Sequence, residues 1–193
     1  MDIIKVGRKE FEILEKLGEN SFKVQRKGNF YFLRQFPNDY AGFLAFCNNI
    51  KHLDNTGVKH PKIRYKDKKN YITVQDYIKG DNVFDLLLKS DLSEKIIEKM
   101  FLMSYCAKLD HHLIDFDPIN YKYDGDELYY LSTHFEPYKE DHNFAMYGIK
   151  YWLYTKDFKA LAMERGYDVD LKRLKPDYEL NKQMVLLTCK YYR

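Results

Sequence analysis

Residues 115–120 read Asp-Phe-Asp-Pro-Ile-Asn. A carboxylate and a carboxamide five positions apart on a short loop can serve one small space. Asp115 would accept the proton of a hydroxyl nucleophile, and the amide oxygen of Asn120 would bind Mg²⁺ beside a phosphate. Residues 129–135 read "YYLSTHF", with Ser132 twelve positions beyond Asn120. Mg²⁺ prefers charged oxygen ligands at short distance, so a neutral hydroxyl is a poor substitute.

Other chemistries find less support. Ser132, His134 and Asp141 have the side chains of a hydrolase, but no nucleophile-elbow glycines surround the serine. His111 and His112 are adjacent and would point apart on a helix, which suits the end of a helix better than a metal. Cys47, Cys106 and Cys189 are widely separated with no CxxC pair, so zinc is not expected, and Cys47 and Cys106 read as small core residues. A formal net charge of +3 over 193 residues is too small to argue for a nucleic-acid partner. The opening residues MDIIKVGRKE lack an apolar run, and no window approaches 18 apolar residues. A soluble cytoplasmic protein with no membrane partner is therefore expected. Hydrophobic residues at 45% and aromatics at 17% fit a packed core and a surface suited to a protein partner.

The elements that must position the loop change character along the chain. Residues 11–18, 22–28 and 29–36 are short β-rich runs, with a tight turn at Lys27-Gly28-Asn29. Apolar residues at 43, 46, 47, 50 and 53 mark one face of a helix over 39–54, ended by Gly57. A second hairpin follows, turning at Asp67–Asn70. After Gly80 the spacing predicts helices over 83–89 and 93–112, the latter capped by Ser93. A small hairpin turns at Asp124-Gly125, and the chain reads as helical again from about 141. Strands first and helices afterwards argue α+β with two segregated lobes, 1–79 and 80–193. The first is expected to hold about five antiparallel strands and one helix.

In order and spacing, residues 11–155 resemble the protein-kinase-like superfamily, in the style of its small atypical members such as the RIO kinases. "ITVQDYIKGDNVFDLL" is similar to the kinase strand, hinge and following helix; the resemblance implies that Asp76, Tyr77 and Ile78 border an adenine pocket. "DFDPIN" is similar to the catalytic loop, within a catalytic-loop-like segment 111–134. Here Asp115 would be the base-like residue and Asn120 the metal-like one. Gly18 in "LGENSF" is what remains of a glycine-rich loop, and Arg34 in "YFLRQF" stands where the family has its phosphate-gripping lysine. "NFAMYGIKYW" is similar to a buried helix, with Asn143 and Gly148 at its marked positions. The last forty residues match no family helix.

The departures decide what the resemblance implies. Ser132 replaces the metal-binding aspartate, arginine replaces lysine, and residues 40–53 contain no acid to pair with it. Only ten residues separate Ser132 from Asn143, too few for a normal activation segment. The expectation is a two-lobed fold with a reduced helical second lobe, acting as a pseudokinase-type nucleotide- or protein-binding module. ATP and Mg²⁺ are the ligands to test. Two alternatives stand beside it. One is an active atypical phosphotransferase using Asp115, Asn120 and either Asp117 or Glu136 for metal; the other is a scaffolding domain without a ligand.

Overall fold

The computed structural model describes residues 2–170 and 178–192. The protein is mixed α+β and divides into two compact units, residues 1–55 with 60–78, and residues 56–59 with 79–193. Among the described residues no helix is long and apolar enough to cross a membrane.

The first unit is a six-stranded antiparallel sheet. Its strands are β1 (Ile3–Val6), β2 (Lys9–Gly18), β3 (Ser21–Arg26), β4 (Asn29–Gln35), β5 (Ile63–Asp67) and β6 (Ile72–Asp76), in the order β1-β2-β3-β4-β6-β5. Segments 11–36 and 60–78 thus share one sheet. The sixth strand, β1, was not foreseen; "IIKV" is too short to show a period of two. Lys27 and Gly28 both take positive φ, 51° and 78°, the pairing that lets a two-residue turn follow strand twist. One face of the sheet curls around Val6, Phe11, Val24, Leu33, Ile72 and Val74, with Tyr31 and Tyr65 edge-on to Phe11. Helix α1 (Tyr40–Leu53) begins at Asp39, whose carboxylate accepts the Gly42 N–H at 2.8 Å. Its buried face, Phe43, Phe46, Cys47, Ile50 and Leu53, is the one its periodicity marked. Burial pushes the Cys47 thiol up, consistent with a packing role.

Asp67 joins the two ends of this sheet. Its carboxylate accepts N–H groups from Gly7 (2.9 Å), Lys69 (3.0 Å) and Asn70 (3.1 Å), and the Asn70 amide at 2.9 Å. The bond from Gly7, and then those from Asn70 and Lys69, hold its carboxyl below the ordinary carboxylate range against the effect of burial. A depressed folded-state value means the stabilisation is present above the unfolded pKa of about 3.9 and is lost as pH falls through the folded value. Asp67→Asn should therefore lose about 1–2 kcal/mol at pH 7. That deficit should shrink as pH falls through the folded value and be lost below it, in urea midpoints measured across pH. A deficit independent of pH would assign the loss to packing.

The second unit opens with the two-residue strand β7 (Asp81–Asn82) and helix α2 (Val83–Leu88), capped by the Asn82 side chain on the Phe84 N–H. Helix α3 (Glu94–Leu109) follows; Ser93 occupies its N-cap, but its hydroxyl makes no capping bond. The helix stops three residues before the expected end. His111 takes a left-handed φ of 59°, and His112 opens β8 (His112–Ile114) with its ring against Asp110. The strands β9 (Tyr121–Tyr123) and β10 (Leu128–Tyr130) form the expected hairpin at Asp124-Gly125, with β7 as a third strand, while β11 (Phe135–Pro137) pairs with β8.

The stretch from 141 is not continuously helical. Residues 140–142 and 148–151 are 3₁₀ turns, and the regular helices are α4 (Lys156–Glu164) and α5 (Tyr178–Tyr191). "NFAMYGIKYW" is thus a compact double turn. Buried Asn143 donates to the Glu140 carbonyl and accepts from the Met146 N–H. At Gly148 any Cβ would meet the Phe116 ring at 2.5 Å and that of Phe144 at 2.7 Å. The glycine lets two aromatic rings approach its backbone, and its poor helix propensity favours the break.

Candidate functional site

Loop 115–120 runs from β8 to β9 and ends in a 3₁₀ turn at Pro118–Asn120. Asp115 and Asn120 come together: the Asn120 amide donates to Asp115 Oδ2 at 2.8 Å. Asp115 Oδ1 accepts the Asp117 N–H at 2.8 Å. Both carboxylate oxygens are thus engaged by neutral donors of the loop itself. Asp117 accepts the Ile119 N–H at 3.1 Å and is ion-paired to Arg165 at the end of α4.

Aromatic side chains hold this loop from beneath. The Tyr121 phenol donates to the Asp115 carbonyl, and Trp152 Nε1 donates to the Phe116 carbonyl at 2.7 Å. The Tyr130 hydroxyl accepts the Asp115 N–H at 3.1 Å and donates to the His134 carbonyl at 2.5 Å. Burial pushes the Tyr130 phenol up to about 12, against the opposing effect of the Ser132 hydroxyl, so the phenol stays a donor. Ser132 itself accepts the His134 N–H at 3.1 Å and acts as a local turn residue.

Loop 115–120 borders a cleft of about 490 Å³ within the second unit. Asp115, Asp117, Glu136, Asp157 and Glu164 line it, with Tyr147 and Tyr151. Among the described residues, no three carboxylate or imidazole ligand atoms of this cleft lie within 4.8 Å of one another. Asn120 donates through Nδ2 and keeps its Oδ1 for a cation, but the charged ligand atoms of the cleft do not converge, so this arrangement fits Mg²⁺ poorly.

The first unit carries the other expected residues. Gly18, Ser21, Arg34 and Thr73 form a cross-strand row over β2, β3, β4 and β6. Gly18 has an ordinary φ, and a Cβ there would touch only Ser21 at 3.7 Å, so space does not require the glycine. The Arg34 guanidinium stands over Phe46 of α1 at 5.1 Å and Phe32 at 5.5 Å. Among the described residues it has no ion-pair partner; the side of α1 that it meets carries Phe46 rather than an acid. Burial pulls its pKa down. Opposite it in register, the fully buried Thr73 hydroxyl has no hydrogen-bond partner among the described residues. Asp76 is held by Arg64 in a two-bond fork of 2.6 and 2.9 Å, and Tyr77 lies under the Lys23 ammonium at 4.9 Å. Ile78, the last residue of this unit, is half-buried.

Sequence reasoning missed Arg165, the Trp152 bond to the loop and the α4 wall of the cleft. Tyr121 and Tyr130 had a signal: they face each other across the 121–130 hairpin, where alternation puts both on one side. Compared with known proteins, the chain matches no family model, and no curated protein matches it.

Proposed function

We propose that the protein is a pseudokinase-type module of the protein-kinase-like superfamily, a two-lobed fold that binds nucleotide with little dependence on divalent metal. The observation that carries this reading is the engagement of Asp115 by the Asp117 N–H and the Asn120 amide, with Ser132 in place of a third ligand. Phosphoryl transfer rests on positioned charge, and here the charge that should face metal is neutral or already bonded. Arg34, a half-buried cation with no ion-pair partner among the described residues, supports retained contact with phosphate. The shared sheet of segments 11–36 and 60–78 supports the fold assignment. A protein partner is the most natural target of such a module.

The test is calorimetric titration with a non-hydrolysable ATP analogue, with Mg²⁺ and with EDTA. Binding should change by less than about 30-fold between the two, a difference of roughly 2 kcal/mol. Arg34→Ala should weaken it about tenfold. A larger gain from metal would favour the active phosphotransferase reading, in which Asp117 or Glu136, both lining the cleft with Asp115, supplies the carboxylate. Absence of any nucleotide binding would leave a scaffold.

A further inference from the structure

The His60 imidazole in the first unit has no exposed surface, yet its two nitrogens face three polar groups. Nδ1 lies 3.2 Å from the Pro61 carbonyl oxygen. Nε2 lies 3.2 Å from the Lys62 ammonium and 3.3 Å from Asp54 Oδ1. Lys62 and Asp54 meet each other at 2.6 Å. Asp54 is the C-cap of α1, and Lys62 directly precedes β5, so this triangle ties the end of the helix to the approach of the strand. Backbone and amide bonds continue it into β6: Gln75 donates to the Pro61 carbonyl at 3.2 Å, and the Asp76 N–H to the Lys62 carbonyl at 3.0 Å.

A neutral imidazole has one N–H and one lone pair, and these contacts decide where each goes. With its proton on Nδ1, the ring donates to Pro61 and its Nε2 lone pair accepts from Lys62. With the proton on Nε2, the Nδ1 lone pair would face a carbonyl oxygen and the Nε2 N–H would face an ammonium. The neutral ring therefore carries its proton on Nδ1.

A second proton reverses the balance. The imidazolium can donate to Pro61 and Asp54 together, but it places a buried cation 3.2 Å from the Lys62 ammonium. Asp54 Oδ1 then stands between two like charges. The imidazole is enclosed, whereas the Lys62 side chain is 47% exposed, so Lys62 is the group that can leave for water. Among the described residues, Lys62 and Asp54 are the charged groups facing the ring; Gln75, facing from β6, is neutral. Burial, and after it the Lys62 charge, pull the His60 pKa down against the Pro61 and Asp54 bonds. For a histidine lowered in the folded state, stability is intact above the unfolded pKa of about 6.5 and declines as pH falls from there to the folded value.

We infer that Asp54, His60 and Lys62 form a pH-sensitive latch: proton uptake at His60 Nε2 transfers Asp54 from Lys62 to the imidazole, frees the Lys62 ammonium and loosens the tie between α1 and β5. The latch stands on side chains of the first unit alone and is independent of nucleotide binding.

Nuclear magnetic resonance of the full chain, with its nitrogens labelled, tests this between about pH 8 and pH 5. At the upper end the imidazole nitrogen shifts should place the single proton on Nδ1. On acidification Nε2 should gain its proton with a midpoint below about 6.5. The hydrogen-exchange protection factor of the Asp76 N–H should then drop about three- to tenfold, while that of the Gln35 N–H, bonded to the Asn20 carbonyl in the same unit, holds. Two substitutions at half-exposed positions, which should keep the fold, move the midpoint in opposite directions. Lys62→Gln removes the opposing cation and should raise the proton affinity of His60 about three- to tenfold, leaving Asp76 protected throughout. Asp54→Asn removes the receiving carboxylate and should lower that affinity by a similar factor. The latch is overturned by a neutral ring protonated on Nε2, by variants that shift the midpoint the same way or not at all, or by an Asp76 protection factor that ignores pH in wild type.

Discussion

Trp152→Ala should destabilise the second unit by about 3–5 kcal/mol. Trp152 is fully buried and is the only tryptophan in the chain. Its ring meets Tyr121 edge-on at 5.0 Å and Phe144 at 5.6 Å, so truncation opens a cavity among large rigid rings that cannot collapse into it. The same truncation removes the donor from the Phe116 carbonyl, an acceptor buried in the middle of loop 115–120. Trp152→Phe keeps most of the volume and loses only that bond, and should cost about 1–2 kcal/mol beyond the small cavity. The urea midpoint by far-ultraviolet circular dichroism measures both variants, since the mutation removes the fluorophore. In wild type the Trp152 fluorescence should follow the unfolding of the second unit specifically. An Ala variant within about 1 kcal/mol of wild type would show that the loop is held mainly by its tyrosines.

What the sequence revealed and what it concealed divide by the range of the interaction. Strands β2 to β4, the Lys27-Gly28 turn, the buried stripe of α1 and the Asp124-Gly125 hairpin are written in local alternation and turn chemistry, and each lies within a residue or three of its expected place. The pairing of Asp115 with Asn120 is also local, since five residues around a proline turn bring them together. Elements of three or four residues leave no period to read, which is why β1, β8 and β11 escaped notice. The helical reading of 143–152 failed for another reason. Its apolar spacing is real, but the Asn143 side chain bonds the Glu140 carbonyl and the Met146 N–H, and Phe116 and Phe144 press on Gly148 in a way only the tertiary structure specifies. Arg165 reaches Asp117 across 48 residues, and the α4 side of the cleft is equally remote. Charge placed by long-range packing has no local pattern, and in this chain that is where the cleft's character lies.

Asp115→Ala should lower stability by about 1–3 kcal/mol and change no enzymatic activity. The carboxylate serves the Asp117 N–H and the Asn120 amide, both in a half-buried loop, and alanine leaves each donor without its partner. Water can reach some of this loop, which keeps the cost below that of a fully enclosed loss. The variant should therefore loosen the turn that carries Asp117 and Asn120, visible as faster hydrogen exchange at the Asp117 and Ile119 amides. An active phosphotransferase predicts the opposite pair of results. There the carboxylate is held ready for a substrate hydroxyl, and its removal abolishes transfer while the fold is spared. Radiolabelled phosphate transfer to the protein itself or to a generic acceptor, measured beside the urea midpoint, separates the two. Transfer by wild type that disappears in a variant of unchanged midpoint would overturn the pseudokinase reading. A lowered midpoint with no transfer by either protein is the expected result, because a carboxylate with both oxygens bonded to its own loop is organised for structure before chemistry.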